Sequence, residues 1–191
     1  VLMAPKDEAE MRDMLLTAIE HPGPAALRYP RGNGIGADIS EAPKTIEIGK
    51  GEIVRNGTDA AIIAYGTMVN AASDAAELLA SSGVQATVVN ARFVKPLDEG
   101  LITKLAREHH VIVTVEEAYL AGGFGSAVME LLEEHQLLDN TTVIRLGVPD
   151  EIVPHGDVKE LLAGYGLDAV GISDAVRRGL DAVSGKKPDN K

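Results

Sequence analysis

From Asp59 onward the chain repeats one rhythm, a short and wholly apolar run followed by a longer helix-spaced segment. That rhythm leaves few folds open. The runs inside "DAAIIAYG", "VQATVVNA", "VIVTVEE" and "TTVIRLG" place strands at 60–65, 86–91, 111–116 and 142–146. Between them, "TMVNAASDAAELLASSG", "LDEGLITKLAREHH" and "GSAVMELLEEHQ" read as helices, and two more helical patterns follow near 157–165 and 172–183. Strands that are apolar on both faces belong to parallel sheets covered by helices on each side. The expectation is a three-layer α/β/α domain with a mostly parallel sheet over 45–184, its crossovers right-handed. Just ahead of it, "TIEIGKGEIVRNG" alternates around Gly-Lys-Gly, which fits an exposed strand pair or one bent strand.

The first residues carry a smaller unit. "VLMAP" is a short apolar run closed by Pro5, and Asp7 with Glu10 fits the N-cap and N3 positions of a capping box. Met11, Met14, Leu15, Ala18 and Ile19 then follow the spacing of a one-sided helix. "HPGP" stops that helix and "AALRYP" is strand-like, so the segment is a β-α-β unit too small to stand alone. The organisation expected is the end of one α/β domain at 1–36, a linker at 37–44, a complete domain at 45–184 and a polar tail at 185–191. Because the chain opens on Val1 inside a strand pattern, it reads as a fragment.

Composition narrows the function classes. The formal net charge of −11 argues against nucleic acid, since phosphate backbones are bound by surplus Lys and Arg. No window approaches the ~20 apolar residues of a membrane span. The absence of cysteine excludes a disulfide framework and a thiolate metal site. With 45% hydrophobic but only 3% aromatic residues, the core must be aliphatic. The expected compartment is the cytoplasm.

Four features could carry chemistry. "LRYPRGNGIG" sets Arg28 and Arg31 at the mouth of a glycine-punctuated loop. A guanidinium beside a closely approaching backbone grips phosphate or carboxylate well, and on spacing alone it fits structural ion pairs equally. Gly122, Gly123 and Gly125 lead into a helix, where a phosphate could rest, but the spacing matches neither the dinucleotide nor the P-loop form. Tight strand-to-helix packing is the favoured reading there. The adjacent Glu116 and Glu117 point to opposite faces of a strand, so they share no proton; one is expected in solvent and one paired with a basic side chain. Of the histidines, His21, His109, His110 and His135 fall at helix ends, and none are spaced as metal ligands. His155, in "VPDEIVPHG", sits on a loop at a strand's carboxyl end, where open α/β sheets place ligands. No nucleophile motif is present.

Taken together, "VLMAPKDEAEMRDML", "PAALRYPRGNGIG", "IGKGEIVRNG", "ARFVKPLDEGLI", "VTVEEAYLAGGFGSAVMELL" and "LGVPDEIVPHG" resemble the carboxyl-terminal third of the 1-deoxy-D-xylulose-5-phosphate synthase family. Transketolases and 2-oxo acid dehydrogenase beta subunits share the architecture, and "RYPRG" fits them less well. A stand-alone binding module built on the same fold is the alternative from another class. The resemblance implies a homodimeric, thiamine diphosphate- and Mg²⁺-dependent transferase that condenses pyruvate with D-glyceraldehyde 3-phosphate and releases carbon dioxide. It also implies that the cofactor, the metal and the activating glutamate are held upstream of Val1, so this chain holds no catalytic, cofactor or metal residue. The position that carries over is Arg31, as the grip on the acceptor's phosphate. Gly32 leaves room for it, and Arg28 is structural.

Overall fold

A computed structural model describes residues 1–185; the tail expected at 185–191 lies, from residue 186 on, outside the described residues. The larger sheet contains β3 (Glu52–Arg55), β4 (Ala60–Tyr65), β5 (Ala86–Asn90), β7 (Val111–Tyr119) and β8 (Thr142–Val148). Their order is β3-β5-β4-β7-β8. The four strands read as parallel are parallel, and β3 joins as an antiparallel edge whose register shifts between Ile53 and Arg55. The Gly-Lys-Gly stretch therefore makes one irregular strand rather than a pair. Gly49 takes φ +76 in the turn before it, and Ile46 and Ile48 pack elsewhere.

Every side chain of β4 and β5 is buried, which only helix cover on both faces can achieve. On one face, α2 (Met68–Ser81) and, after the short α5 (Val158–Gly164), α6 (Ala169–Ser184) pack Val69, Ala72, Leu79, Ile172 and Val176 against Ile62, Val88 and Val113. On the other, α3 (Glu99–Glu108) and α4 (Phe124–Glu134) pack Ile102, Leu105, Val128 and Leu132 against Ile63, Val89 and Ile112. The core is aliphatic, and Phe124 stacks on Tyr65 at 5.4 Å. The three layers are those the apolar runs imply.

The leading unit is β1 (Leu2–Met3), α1 (Glu8–Glu20) and β2 (Ala26–Leu27), with β1 and β2 parallel. Asp7 caps α1 through the Glu10 N–H at 2.8 Å, a bond worth about 1 kcal/mol. An unanticipated strand, β6 (Phe93–Lys95), lies antiparallel to β1 and completes a second sheet in the order β2-β1-β6. Helix α1 differs from its sequence pattern. Its buried side is Glu10, Met14 and Thr17, whereas Leu15 is 50% and Ile19 73% exposed. The reason is that Glu10 is drawn inward by a charge network. Its carboxylate accepts from Arg92 Nε at 2.7 Å and from Asn90 Nδ2 at 2.8 Å, while Arg92 Nη2 reaches Glu52 at 2.9 Å. Lys6 Nζ bridges Glu10 and Glu52 at 3.5 and 3.2 Å.

The turn into α4 is filled from within. Glu116, 1% exposed, accepts from the N–H groups of Phe124 at 2.7 Å and Gly125 at 2.8 Å. Burial raises its pKa, and those two bonds only partly oppose the shift. Neither glutamate is the solvated one expected: Glu116 caps a helix, and Glu117 lies 4.0 Å from Arg28. A Cβ added at Gly123 would stand 2.3 Å from both Glu116 Oε2 and the Tyr119 carbonyl oxygen. Gly123→Ala is therefore expected to push the carboxylate off two buried N–H groups and cost about 1–2 kcal/mol. Urea denaturation checks this; an unchanged midpoint would contradict it.

Candidate functional site

The carboxyl ends of strands from both sheets face the same end of the molecule. After β1 come Pro5 to Glu8, after β2 the loop from Arg28, after β4 Thr67, at the end of β7 Ala118 and Tyr119, and after β8 the loop at Val153. These segments enclose two hollows. The smaller, about 150 Å³, lies between the first turn of α1, Tyr29, Pro30, the stretch from Gly32 to Ile35, and Thr67; Arg31 is on the same loop but does not line it. The larger, about 450 Å³, is walled by apolar side chains including Val148, Val153, Leu161 and Leu162, with Arg28 and Glu117 at its polar side. Thr67 Oγ1 donates to Glu117 at 3.3 Å and Asn70 Nδ2 to the Lys6 carbonyl at 3.0 Å, tying the β4 turn to its neighbours.

The two arginines of the loop have different surroundings. The β2 ladder continues through Arg28, whose N–H donates to the Met3 carbonyl at 2.9 Å. Its guanidinium donates to the Glu117 carbonyl and lies 4.0 Å from that residue's carboxylate. Arg31 is exposed, and among the described residues no carboxylate lies within ion-pair distance of it. Lys6, at the rim of the small hollow, is already held by Glu10 and Glu52. Among the described residues, Arg31 is thus a cation in this neighbourhood left to meet an anion from outside.

The glycines after Arg31 serve different ends. Gly32 has open space around its Cβ position, so no close contact there requires a glycine. Gly34 and Gly36 instead wrap an internal anion. The Glu8 carboxylate accepts from the N–H groups of Gly36 at 2.6 Å, Ala37 at 2.9 Å and Ile35 at 3.2 Å. Gly36 has φ +87, and a Cβ at Gly34 would approach Glu8 Oε1 to 2.5 Å. Hydrogen bonds from its own backbone N–H and then from this loop hold Glu8 below the usual carboxylate range. Sequence reading did not connect Glu8 to the loop; the signal was the pair of glycines, which needed a partner.

His155 is exposed on the loop after β8, apart from the residues lining the larger hollow, although Val153 of the same loop lines it together with Arg28. His109, by contrast, is 5% exposed and lies 3.3 Å from Thr87 Oγ1 and 3.1 Å from the Leu105 carbonyl. His135 meets Glu99 at 2.8 Å.

Among the described residues, the turn into α4 does not fit a diphosphate with its metal. The glycine-led N-terminus of α4 is filled by the Glu116 carboxylate, and among the described residues no three His, Asp or Glu side chains converge to hold a metal ion. Among the described residues, no helix is long and apolar enough to cross a membrane.

Comparison with known proteins adds the following. Residues 49–172 match the model of the transketolase C-terminal domain. The 1-deoxy-D-xylulose-5-phosphate synthase of Heliobacterium modesticaldum is 53% identical over 182 residues, covering 95% of this chain and 28% of that protein. The 1-deoxy-D-xylulose-5-phosphate synthase 1 of Geobacter metallireducens is 55% identical over 177 residues, covering 93% of this chain and again 28% of the relative. Among solved structures, a split-gene transketolase described as an inactive beta4 tetramer aligns with TM-score 0.83 and 33% identity, over 94% of this chain and 57% of that one. A transketolase from Pichia stipitis shares the fold, with TM-score 0.68 at 16% identity, over 97% of this chain and 26% of that one. The chain thus spans a little over a quarter of the length of the synthases it matches.

Proposed function

The chain belongs to the transketolase C-terminal domain family, and we propose that it is the carboxyl-terminal part of a 1-deoxy-D-xylulose-5-phosphate synthase. In this reading the whole enzyme is a transferase that joins pyruvate to D-glyceraldehyde 3-phosphate with loss of carbon dioxide. It depends on thiamine diphosphate and Mg²⁺, which supply the decarboxylation chemistry when bound by the upstream domains. Residues 1–36 close the domain before the linker at 37–44, and 45–184 form the third. The enzyme is a cytoplasmic homodimer, an assignment that rests on the family resemblance. This chain by itself is inactive.

What the chain contributes is a grip on the acceptor. The observation that carries this is the contrast between the arginines: Arg28 is committed to Glu117, whereas Arg31 is exposed and, among the described residues, without a carboxylate partner. A free guanidinium presents a planar fork that matches two phosphate oxygens. Arg31 binds the phosphate of the aldehyde and so fixes its carbonyl carbon at a set reach from the loop. His155 is carried on the loop whose Val153 shares a hollow with Arg28, at the same end of the molecule, without itself lining that hollow.

The reaction assignment is tested on the full-length gene product. Incubation with pyruvate, D-glyceraldehyde 3-phosphate, thiamine diphosphate and Mg²⁺ should release carbon dioxide in step with formation of a five-carbon ketose phosphate. Transfer of a two-carbon unit from a ketose phosphate donor, with no carbon dioxide released, would assign the enzyme to the transketolases instead.

A further inference from the structure

Helix α1 holds the connection between the two units along much of its length. Glu8 binds the N–H groups of residues 35–37, and Arg12 Nη1 donates to the carbonyls of Ile39 at 2.5 Å and Glu41 at 3.2 Å. Asp13 accepts from the Lys44 N–H at 2.9 Å, and Thr17 Oγ1 from the Ile46 N–H at 2.8 Å. Positions 8, 12, 13 and 17 follow one stripe of a helix, and their partners advance from 35 to 46 in the same direction. The stripe is itself anchored, because Glu10 of the same helix binds Arg92 at 2.7 Å.

The first of these attachments is the one nearest Arg31. Its loop leaves β2 at Leu27, where the ladder bond from Arg28 to Met3 fixes one end. The next fixed backbone is at Ile35, Gly36 and Ala37, held by Glu8. Between these points Arg31 is carried on a short arc whose far end depends on one carboxylate. Three donors converging on two oxygens need a charged acceptor, because a carboxylate offers about four lone-pair sites. Gly34 lacks the Cβ that would block it.

We propose that Glu8 is a positioning residue for Arg31: by clamping the backbone of residues 35–37, it sets where the guanidinium meets the phosphate of the acceptor. The proposal rests on the reading of Arg31 as that phosphate's grip. Glu8 itself, being anionic, does not touch the phosphate.

The test is a double-mutant cycle in the full-length enzyme, with KM for D-glyceraldehyde 3-phosphate and for pyruvate as readouts. Glu8→Ala should raise the aldehyde KM by about 10-fold, less than the 10²-fold that a 1 Å displacement can cost. Pyruvate KM should move less than about twofold, a split that a merely structural loss would not produce. Glu8→Gln keeps one carbonyl acceptor and should fall between. In an Arg31→Ala background, Glu8→Ala should have no further effect on aldehyde KM, because a misplaced guanidinium and a missing one are equivalent. Amide exchange at residues 35–37 should quicken in Glu8→Ala. If Arg31→Ala raises aldehyde KM while Glu8→Ala leaves it unchanged, the positioning role is overturned and the phosphate grip stands. It is also overturned if the two effects multiply. If Arg31→Ala itself changes nothing, both assignments fall together.

Discussion

Replacing Arg92 with leucine should lower the stability of this chain by about 1.5–3 kcal/mol, the usual cost of removing a hydrogen bond to a buried charged group that keeps its other partners. Glu10 is 4% exposed and takes Arg92 Nε at 2.7 Å, and the same guanidinium holds Glu52 at 2.9 Å. With Arg92 gone, Glu10 keeps only Asn90, Lys6 and the Lys6 backbone N–H. Arg92 has φ +58, a conformation that a residue other than glycine adopts at some cost. Leucine inherits that cost unchanged, so the loss measures the ion pair rather than the backbone. Adding Glu10→Leu to Arg92→Leu should cost much less than the two singles summed, since no orphan charge then remains. A single-mutant loss under about 1 kcal/mol would mean that the network is slack.

The same network predicts a pH profile. Burial alone would raise the pKa of Glu52, but Arg92 and Lys6 overcome it and hold the carboxyl below its ordinary 4.5. A folded value below the unfolded one gives stability that is present above pH 4.5 and lost as pH falls through the folded value. For Lys6, burial would lower the pKa, and Glu10, Glu52 and Asp7 raise it above 10.5. Its contribution is present below that value and fades as pH rises through the folded one. Arg92→Leu should therefore flatten the acid limb of the stability curve and leave the alkaline limb in place. An acid limb identical to that of the wild type would contradict the assignment.

Arg31→Ala is expected to raise the KM of the full-length enzyme for D-glyceraldehyde 3-phosphate by ~10- to 150-fold. That range corresponds to losing one charge-assisted pair of about 1.5–3 kcal/mol. Arg31→Lys should recover only part of it, because an ammonium cannot reproduce the two-pronged fork. Pyruvate carries no phosphate, so its KM should move far less. Some loss of kcat is expected as well, since the grip also orients the aldehyde. Arg28→Ala is the control: it breaks the contacts with Glu117 and should show as lower stability. A selective aldehyde defect in Arg28→Ala instead would move the grip to that residue.

Most of the large sheet could be read directly because its strands are buried on both faces, and runs such as "AAIIAY" have no other use. Strand β6 could not. Three residues carry no periodicity, and its partner, Leu2–Met3, lies far from it in sequence, at the start of the chain. Helix α1 was legible as a helix and misleading as a face. Apolar spacing favoured Leu15 and Ile19, but the charge network turned Glu10 and Thr17 inward. That network was invisible because Arg92 gives no glycine-like signal for a positive φ. The polar residues Glu8, Arg12 and Asp13 belong to no motif, and only the path of residues 35–46 shows what they hold. At the site, spacing alone did not separate Arg28 from Arg31, and the capture of Gly34 and Gly36 by Glu8 depended on a contact between distant segments.

The most direct measurement compares two acceptors that differ only in the phosphate, D-glyceraldehyde 3-phosphate and D-glyceraldehyde, in wild type and Arg31→Ala. If Arg31 grips the phosphate, kcat/KM for the phosphorylated aldehyde should fall by ~10- to 150-fold. The value for D-glyceraldehyde should hold within about twofold, so that the preference between them collapses. An equal fall for both acceptors, or an intact preference, would contradict the account.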